Sequence, residues 1–356
     1  MAQPIDSKTF AQTGDLFPVA EQVSRGPAAG SYLYSLSDNG ALIYQTGAPG
    51  GTERHLWFDR AGKEAGAVGG MVRSQGDFAI SADGKRLVIG RISDSSAGSD
   101  LWVTDLEHNG TETRFTFDAS FNSHPVWSPD GSKIAFGSNR RGGIQNLYQR
   151  ASNNTGEDEA LFESKEVQKY PWDWSRDGRF IIFHAFDQKI RDDIWVLPLT
   201  GDRKPSVVLA TPFREMQGQL SPDSRWLAYT TDASGRFEIE VQPFAPGLVK
   251  PFTGKWQIST AGGVQPRWRS DGKELYYQAL DRKMMAVEIR ATGQSFDHGP
   301  PQALFESQTD LPTNAGIWGY VPSADGRRFL IAIPPATASE APPLTVVVNW
   351  PAGIRK

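Results

Sequence analysis

The sequence predicts an all-β fold of repeated four-stranded antiparallel units, and three observations lead to it. A turn related to Ser-x-Asp-Gly recurs seven times in the 356 residues, 44 to 54 residues apart. Each turn lies between two short alternating apolar runs, which is typical of a β-hairpin. The chain has 36 glycines, 24 prolines and 11% aromatic residues, as expected for many turns joining short aromatic strands. Four short strands per repeat of this length are typical of a β-propeller.

The turn residues explain why each repeat forms a hairpin, most clearly at Ser128–Gly131. Serine can cap the turn through its hydroxyl, proline presets φ at the second position, and aspartate suits the third. Glycine then tolerates the left-handed exit. The seven turns lie at residues 37–40, 81–84, 128–131, 175–178, 221–224, 269–272 and 323–326. We predict that their aspartates accept local backbone N–H bonds.

A third and a fourth strand follow each hairpin. The third strands are predicted at residues 55–59, 101–106, 146–150, 193–199, 237–244, 284–289 and 344–350. The fourth, outer strands are predicted at residues 113–117, 160–163, 207–210, 255–259 and 303–306, and most weakly near residue 67. These elements complete four-stranded blades.

We expect residues 1–356 to form one propeller domain with seven blades, the alternatives being six or eight. The last repeat lacks an outer strand after residues 344–350, whereas Leu16 to Gln22 offers an unattached strand. The N-terminal strands in residues 1–22 are therefore predicted to close the last blade and the ring.

Composition excludes several classes of partner. The net charge is −4 and the isoelectric point is near 5.8, so the broad positive field of a nucleic-acid or anionic-membrane binder is missing. The absence of cysteine excludes disulfides and thiolate metal sites. No signal peptide and no long apolar span is recognisable in the sequence. We expect a monomer without direct membrane insertion.

No motif for catalysis or metal binding stands out. A Gly-x-Ser-x-Gly elbow is absent and the five histidines are scattered, so we predict no catalytic residues, no metal and no cofactor. The alternative is a hydrolase or lyase with an active site at the channel mouth, using His124 and Glu215. Asp94 to Asp100 carries oxygen donors but lacks the spacing of a calcium loop.

Tryptophans repeat with the blades. Three recur in third strands and three recur just before the turns, which indicates packing between blades rather than ligand binding. The six are Trp57, Trp102, Trp195, Trp127, Trp174 and Trp268. Trp172 and Trp318 lie outside that register and are better candidates for binding.

A binding site is predicted on the face opposite the turns, where the chain enters each inner strand. We call this face the mouth end and the turn face the corner end. Loops at the mouth end are free to vary because strands carry the scaffold. The candidate ligand-binding residues there are His124, Tyr170, Trp172, Arg214, Glu215, Gln265 and Trp318. Their mixture suits a peptide, a protein or a small polar ligand, and Arg214 favours an acidic peptide.

The repeats resemble those of TolB-like, WD-like bacterial β-propellers. The strings RFTFDAS, PVWSPDGSKIAFGSNR, DIWVLPLTGDRKP, QPRWRSDGKELYY and TVVVNWPAGIRK also resemble the C-terminal sensor propeller of bacterial eukaryotic-like serine/threonine protein kinases. In that family a kinase domain and a membrane helix precede the propeller. The resemblance therefore implies a periplasmic, extracytoplasmic location as part of such a kinase, whereas the chain expressed alone would be cytoplasmic.

The kinase motifs themselves are absent from the sequence. It has no Gly-rich loop after a strand, no His-Arg-Asp loop and no Asp-Phe-Gly, so nothing in it could position Mg-ATP. We therefore expect a noncatalytic ligand- or protein-binding propeller, the sensor or scaffold module of a receptor-type kinase.

Overall fold

The computed structural model of the chain describes most of its residues. These are residues 34–37, 41–45, 52–93, 98–108, 110–186, 192–246, 254–293, 295–309, 318–334 and 344–348, with a few single positions before residue 34. The chain divides into two compact units, one formed by Thr52–Pro334 and one by Met1–Gly51 together with Pro335–Lys356. Among the described residues no helix is long and apolar enough to cross a membrane.

The smaller unit contains one antiparallel sheet. Its strands are β1 (Tyr34–Leu36), β2 (Leu42–Gln45) and β27 (Leu344–Val347), in the order β1-β2-β27.

The larger unit contains six four-stranded antiparallel sheets. The first sheet has β25 (Tyr320–Pro322), β26 (Arg328–Ile333), β3 (Thr52–Asp59) and the first part of β4 (Glu64–Ile80). The second has the rest of β4 with β5 (Arg86–Ile92), β6 (Ser99–Asp105) and β7 (Glu112–Arg114). The third has β8 (Asn122–Trp127), β9 (Lys133–Ser138), β10 (Asn146–Ala151) and β11 (Glu159–Phe162).

The remaining three sheets repeat this order. The fourth has β12 (Gln168–Trp174), β13 (Phe180–Phe186), β14 (Asp193–Pro198) and β15 (Ser206–Leu209). The fifth has β16 (Glu215–Leu220), β17 (Trp226–Thr231), β18 (Glu238–Pro243) and β19 (Trp256–Gln257). The sixth has β20 (Val264–Trp268), β21 (Glu274–Gln278), β22 (Lys283–Thr292) and β24 (Gln302–Glu306), and β23 (Ser295–His298) pairs with the far end of β22.

The first strands of these sheets, which we call the inner strands, form a closed cycle. β4 lies against β8, β8 against β12, β12 against β16, and β16 against β20. Side-chain hydrogen bonds join β20 to the start of β25, and β25 lies against β4. The larger unit is thus a ring of blades, which confirms the all-β propeller prediction.

The predicted corners are present and serve the scaffold. Ser128 Oγ donates to Asp130 Oδ1 at 2.6 Å and accepts the Lys133 N–H at 2.9 Å. In six corners the aspartate accepts the N–H of the residue two positions later at 3.0–3.2 Å. These aspartates are Asp83, Asp130, Asp177, Asp223, Asp271 and Asp325. The predicted structural role of the corner carboxylates is therefore confirmed.

The cores lie between neighbouring sheets, and the tryptophans before the corners join them. Trp127 packs among residues of β5, β6 and β9, and its Nε1–H donates to the Ala79 carbonyl of the preceding blade at 3.0 Å. Trp268 Nε1–H donates to Gln219 O at 3.1 Å in the same way. For these two residues, packing between blades is confirmed.

The strand pairing at the two ends of the repeat array differs from the prediction. We expected residues 55–59 to follow the hairpin of residues 34–45, and residues 344–350 to follow that of residues 320–333. Instead, β3 pairs with β26 and β27 pairs with β2. The pairing of β3 with β26 is the buried one. Phe329, Leu330 and Ile331 of β26 are at most 1% exposed, whereas Leu344 of β27 is 66% exposed.

This exchange changes the expected blade count and closure. The ring described in Thr52–Pro334 has six sheets, so the favoured count of seven is not confirmed, and the turn at residues 37–40 belongs to the smaller unit. The sheet that joins the two ends of the ring combines strands from residues 52–80 and 320–333. Most of Leu16 to Gln22 lies outside the described residues, so closure by that segment stays a prediction.

Candidate functional site

Bulges near the mouth end turn side chains toward neighbouring blades. His124, Gln217 and Gln265 lie four residues before their corners, with positive φ of 52°, 57° and 61°, which non-glycine residues seldom adopt. Gln217 Oε1 accepts the Gln265 N–H at 2.8 Å, and Gln265 Oε1 accepts the Gly319 N–H at 2.7 Å. Asp77 has the same place in β4, and its Oδ2 accepts the His124 N–H at 3.3 Å. These bonds join one inner strand to the next. We call this set of hydrogen-bonded residues, Asp77, His124, Gln217, Gln265 and Gly319, the belt.

Gln265 is one of the predicted ligand-binding residues, and the structure places it inside this belt. Its relative exposure is 0%, and its own carbonyl accepts the Tyr320 hydroxyl at 2.8 Å. The side chain thus has a scaffold role and no open surface.

Four aromatic rings contact each other in a closed cycle beside the belt. The His124 ring centroid lies 4.7 Å from that of Tyr170, which lies 5.0 Å from that of His184. Trp172 closes the cycle at 5.3 Å from both His184 and His124. Tyr170 and His184 face each other directly in the pairing of β12 with β13. We call these four residues the ring cluster.

One hydrogen bond determines which ring nitrogen of His184 carries the proton. Trp172 Nε1–H donates to His184 Nδ1 at 2.6 Å. Since an indole nitrogen only donates, His184 Nδ1 must accept, and the proton of the neutral imidazole lies on Nε2. That nitrogen faces Asp192 Oδ1 at 3.8 Å. Burial lowers the pKa of His184 to about 4, so the ring is neutral at pH 7.

Arg214 is already paired in this structure. Its Nε donates to Asp192 Oδ2 at 2.6 Å, and Asp192 is only 3% exposed. The guanidinium also lies 5.6 Å from the ring of Phe237. The positive charge that the sequence placed at the mouth is therefore compensated by a buried carboxylate.

A second carboxylate, Asp77, contacts His124 of the ring cluster. Its Oδ2 is 3.4 Å from His124 Nδ1, but neither its Oδ1 nor His124 Nε2 has a hydrogen-bond partner among the described residues. Burial raises the pKa of Asp77. Burial is also the main reason that the pKa of nearby Glu53 is raised to about 7. Unpaired polar atoms in buried groups are uncommon and mark this end of β4 and β8.

Glu215 and Trp318 are buried in different surroundings. Glu215 is 1% exposed and accepts hydrogen bonds from Thr211, and burial raises the pKa of its carboxyl group. Trp318 is 4% exposed, packs edge-on against Trp172 at 5.1 Å, and has the Arg267 guanidinium over its ring at 3.5 Å.

The structure thus brings together His124, Tyr170, Trp172 and, through Trp172, Trp318, with Arg214 joined to them through Asp192. Glu215 and Gln265 serve separate local contacts. Sequence reasoning missed Asp77, His184 and Asp192. Aligning the repeats on their corners would have revealed Asp77, because it holds the bulge position of His124. His184 lies in the second strand β13 and Asp192 lies just before the third strand β14, at positions that no repeat motif marks.

Among the residues that the structure describes, no group of three or more His, Asp or Glu side chains could hold a metal ion.

The match to known families agrees with this architecture. The model of the TolB beta propeller domain matches residues 61–241. The chain belongs to the TolB beta-propeller family. No curated protein sequence matches the chain. The predicted resemblance to TolB-like propellers is thereby confirmed, whereas the link to a kinase stays a prediction.

Solved structures of similar fold include TolB proteins and a lyase. A candidate TolB from Agrobacterium tumefaciens is 16% identical, with a TM-score of 0.59 over 81% of this chain and 100% of that one. TolB from Acinetobacter baumannii is 16% identical, with a TM-score of 0.49 over 85% of this chain and 78% of that one. An oligogalacturonate lyase in complex with manganese is 13% identical, with a TM-score of 0.50 over 90% and 81%. At these identities the likeness concerns the fold of this TolB-family propeller alone.

Proposed function

We propose that this TolB-family propeller is a noncatalytic binding module that receives a peptide segment of a protein partner at its mouth end. One observation carries the proposal, namely the contrast between the two ends of the inner strands. At the corner end every described repeat aspartate is satisfied by its own turn. At the mouth end Asp77 Oδ1 and His124 Nε2 lack partners, beside partly exposed Tyr170.

Exposed apolar groups near the same end support a macromolecular partner. Phe186 at the end of β13 and Phe213 just before β16 are 42% and 41% exposed. Aromatic groups next to polar ones are typical of the contact surfaces that proteins use for one another. A peptide crossing from these phenylalanines to the ring cluster would contact both.

An enzyme is the competing interpretation, and the geometry disfavours its simplest form. Ser123, His124 and Asp77 lie together, but Ser123 Oγ is 3.0 Å and Asp77 Oδ2 is 3.4 Å from the same nitrogen, His124 Nδ1. In a Ser-His-Asp relay the histidine is the base, and the serine hydroxyl and the orienting carboxylate must lie on opposite nitrogens of its ring. Glu215, the other predicted catalytic candidate, lies on β16, two inner strands away from the His124 strand β8.

The wider setting in our proposal is the sensor module of a receptor-type serine/threonine kinase outside the cytoplasmic membrane. It is supported by the resemblance of the sequence strings alone. The test is genomic: the reading frame ahead of the propeller should encode a kinase domain followed by a membrane helix. A frame that encodes neither would refute the kinase setting and leave peptide binding standing.

Thermal-shift screening tests the binding proposal. Peptide pools, glycans and divalent cations are offered separately, and a ligand at 100 times its dissociation constant should stabilise the fold by about 2.7 kcal/mol. We expect peptides to raise the melting temperature. Phe213→Ala and Phe186→Ala should reduce this shift in melting temperature. Val207→Ala is the control, because Val207 on outer strand β15 is similarly exposed at 48%, and it should leave the shift unchanged.

Two results would contradict the proposal. Glycans or divalent cations that stabilise the protein while peptides do not would assign it another ligand class. A peptide shift that Phe213→Ala and Phe186→Ala leave unchanged would remove the site from the mouth end.

A further inference from the structure

We propose that the mouth end recognises a primary ammonium group, placed between Asp77 and the hydroxyl of Tyr170. The inference rests on the proposed function and names the chemical class that its peptide must carry. A lysine side chain and a free peptide N-terminus both supply this group. The site is the Asp77 carboxylate together with the ring cluster and Asp192.

The charge balance at the site favours a cation. Asp77 and Asp192 are both buried, and Arg214 Nε already donates to Asp192 at 2.6 Å. His184 is neutral for the reason given above. An anion would therefore meet the acceptor oxygens of two carboxyl groups, and among the described residues the arginine beside them is already engaged, whereas a donor-bearing cation can use the Asp77 oxygen that has no partner.

Two acceptors without partners in the described part of the chain lie beside the ring cluster. Asp77 Oδ1 has no partner among the described residues, and its side chain is only 5% exposed. The hydroxyl of Tyr170 makes no hydrogen bond to any described protein group. Burial, and then the neighbouring Asp77 and Asp192, raise the pKa of Tyr170 to about 12. An ammonium group has three donors and no acceptor, so it suits acceptor oxygens that lack partners.

The aromatic rings of the cluster also attract a cation. A cation near the face of an aromatic ring is stabilised by the ring quadrupole, most strongly where water is excluded. Tyr170 and Trp172 both belong to the ring cluster, and Trp172 is 1% exposed. The carboxylate and the rings thus select an organic cation over a neutral or acidic group.

Four pentapeptides that differ in one feature test the inference, with calorimetry as the measurement. Three are acetylated and amidated and have lysine, leucine or glutamate at the centre, and the fourth is the leucine peptide amide with a free N-terminus in place of the acetyl group. The lysine or the free-amine peptide should bind about tenfold more tightly than the leucine peptide, as expected for a cation beside a ring and a carboxylate. Which of the two does so identifies the source of the ammonium group.

Matched variants locate the effect. Asp77→Asn retains an oxygen that can accept the His124 N–H and removes the charge, so it should abolish the preference for the ammonium peptide. Tyr170→Phe retains the ring and should weaken binding of that peptide severalfold, which gives a second readout if the Asp77 variant folds poorly. Asp130→Asn, at the corner end, should leave every affinity unchanged.

The outcomes separate this inference from the proposed function. If all four peptides bind equally, or the glutamate peptide binds best, peptide binding stands and ammonium recognition is overturned. If none of them binds, both are overturned. If Ca²⁺ or Mn²⁺ alone stabilises the protein through Asp77, the site takes an inorganic cation and the ammonium inference is wrong.

Discussion

Replacing Gln265 by alanine should weaken the ring where its last inner strand joins. In the structure Gln265 Oε1 accepts the Gly319 N–H at 2.7 Å, and both residues are buried. The substitution leaves that N–H without a partner, and an unsatisfied buried donor costs about 1–3 kcal/mol. The loss of side-chain packing adds to this, so we expect the free energy of unfolding to fall by about 2 kcal/mol or more. Against a usual total of about 5–15 kcal/mol this is a large effect.

Urea denaturation followed by tryptophan fluorescence measures the change, with the slope on denaturant as a check on the unfolded state. The control is Gln302→Ala, an exposed glutamine on β24, which should stay within about 0.5 kcal/mol of the parent. An unchanged midpoint for Gln265→Ala would refute the belt. If that variant also lost peptide affinity at unchanged stability, Gln265 would be the ligand residue that the sequence predicted.

Three further substitutions test the local chemistry. Asp130→Ala should cost about 1 kcal/mol of unfolding free energy near neutral pH, as a lost hydrogen bond does; the Ser128 hydroxyl, first among several donors, lowers the pKa of Asp130 to about 2, so in the parent this contribution fades as the pH falls toward that value. Glu53→Gln should change the pH profile of stability. Burial raises the Glu53 pKa from 4.5 to about 7, so the native state binds more protons than the unfolded state in that window, stability falls as the pH rises, and the variant should lose this slope. Arg214→Ala should lower the unfolding free energy by about 2 kcal/mol, less than for a fully buried pair, because the arginine side chain is 27% exposed, although its partner Asp192 is buried. Adding Asp192→Asn should recover part of that loss, and a double variant less stable than the single one would show that the pair is not the cause. Thermal and urea unfolding at several pH values measure all three.

The corners were predictable because their chemistry is local. Ser128, Asp130 and Gly131 bond within five residues of chain, so the order of residue types was enough to predict both the hairpin and the role of the carboxylate. The same holds for Trp127, whose place before a corner repeats with the blade. Such features depend on nearest neighbours along the chain.

Strand partners were not predictable in this way, because two hairpins offered equivalent edges. The runs at residues 42–45 and 328–333 both alternate, and both are followed by a third strand at a similar distance. Which third strand pairs with which hairpin is decided by how much apolar surface the pair buries. Phe329 and Leu330 are fully buried in the pairing with β3, and β1 and β27 remain largely exposed. A periodic pattern cannot rank these alternatives.

The charge of the candidate site also could not be predicted from the repeat pattern. The sequence placed the positive charge of Arg214 beside aromatic residues at the mouth end and suggested an acidic peptide as the ligand. Its partner, Asp192, lies 22 positions earlier in another sheet and bonds it at 2.6 Å. Asp77, whose Oδ1 has no partner among the described residues, lies in the second sheet of the ring. It is 47 residues from the bulge residue His124 that it contacts. A residue's position in a repeat predicts the end of the strand on which it lies, whereas the sign of the site depends on which charges remain unpaired after the blades have closed. Among the described residues one group left without a full set of partners is the Asp77 carboxyl group, which is why the cationic ligand proposed above is the one to test first.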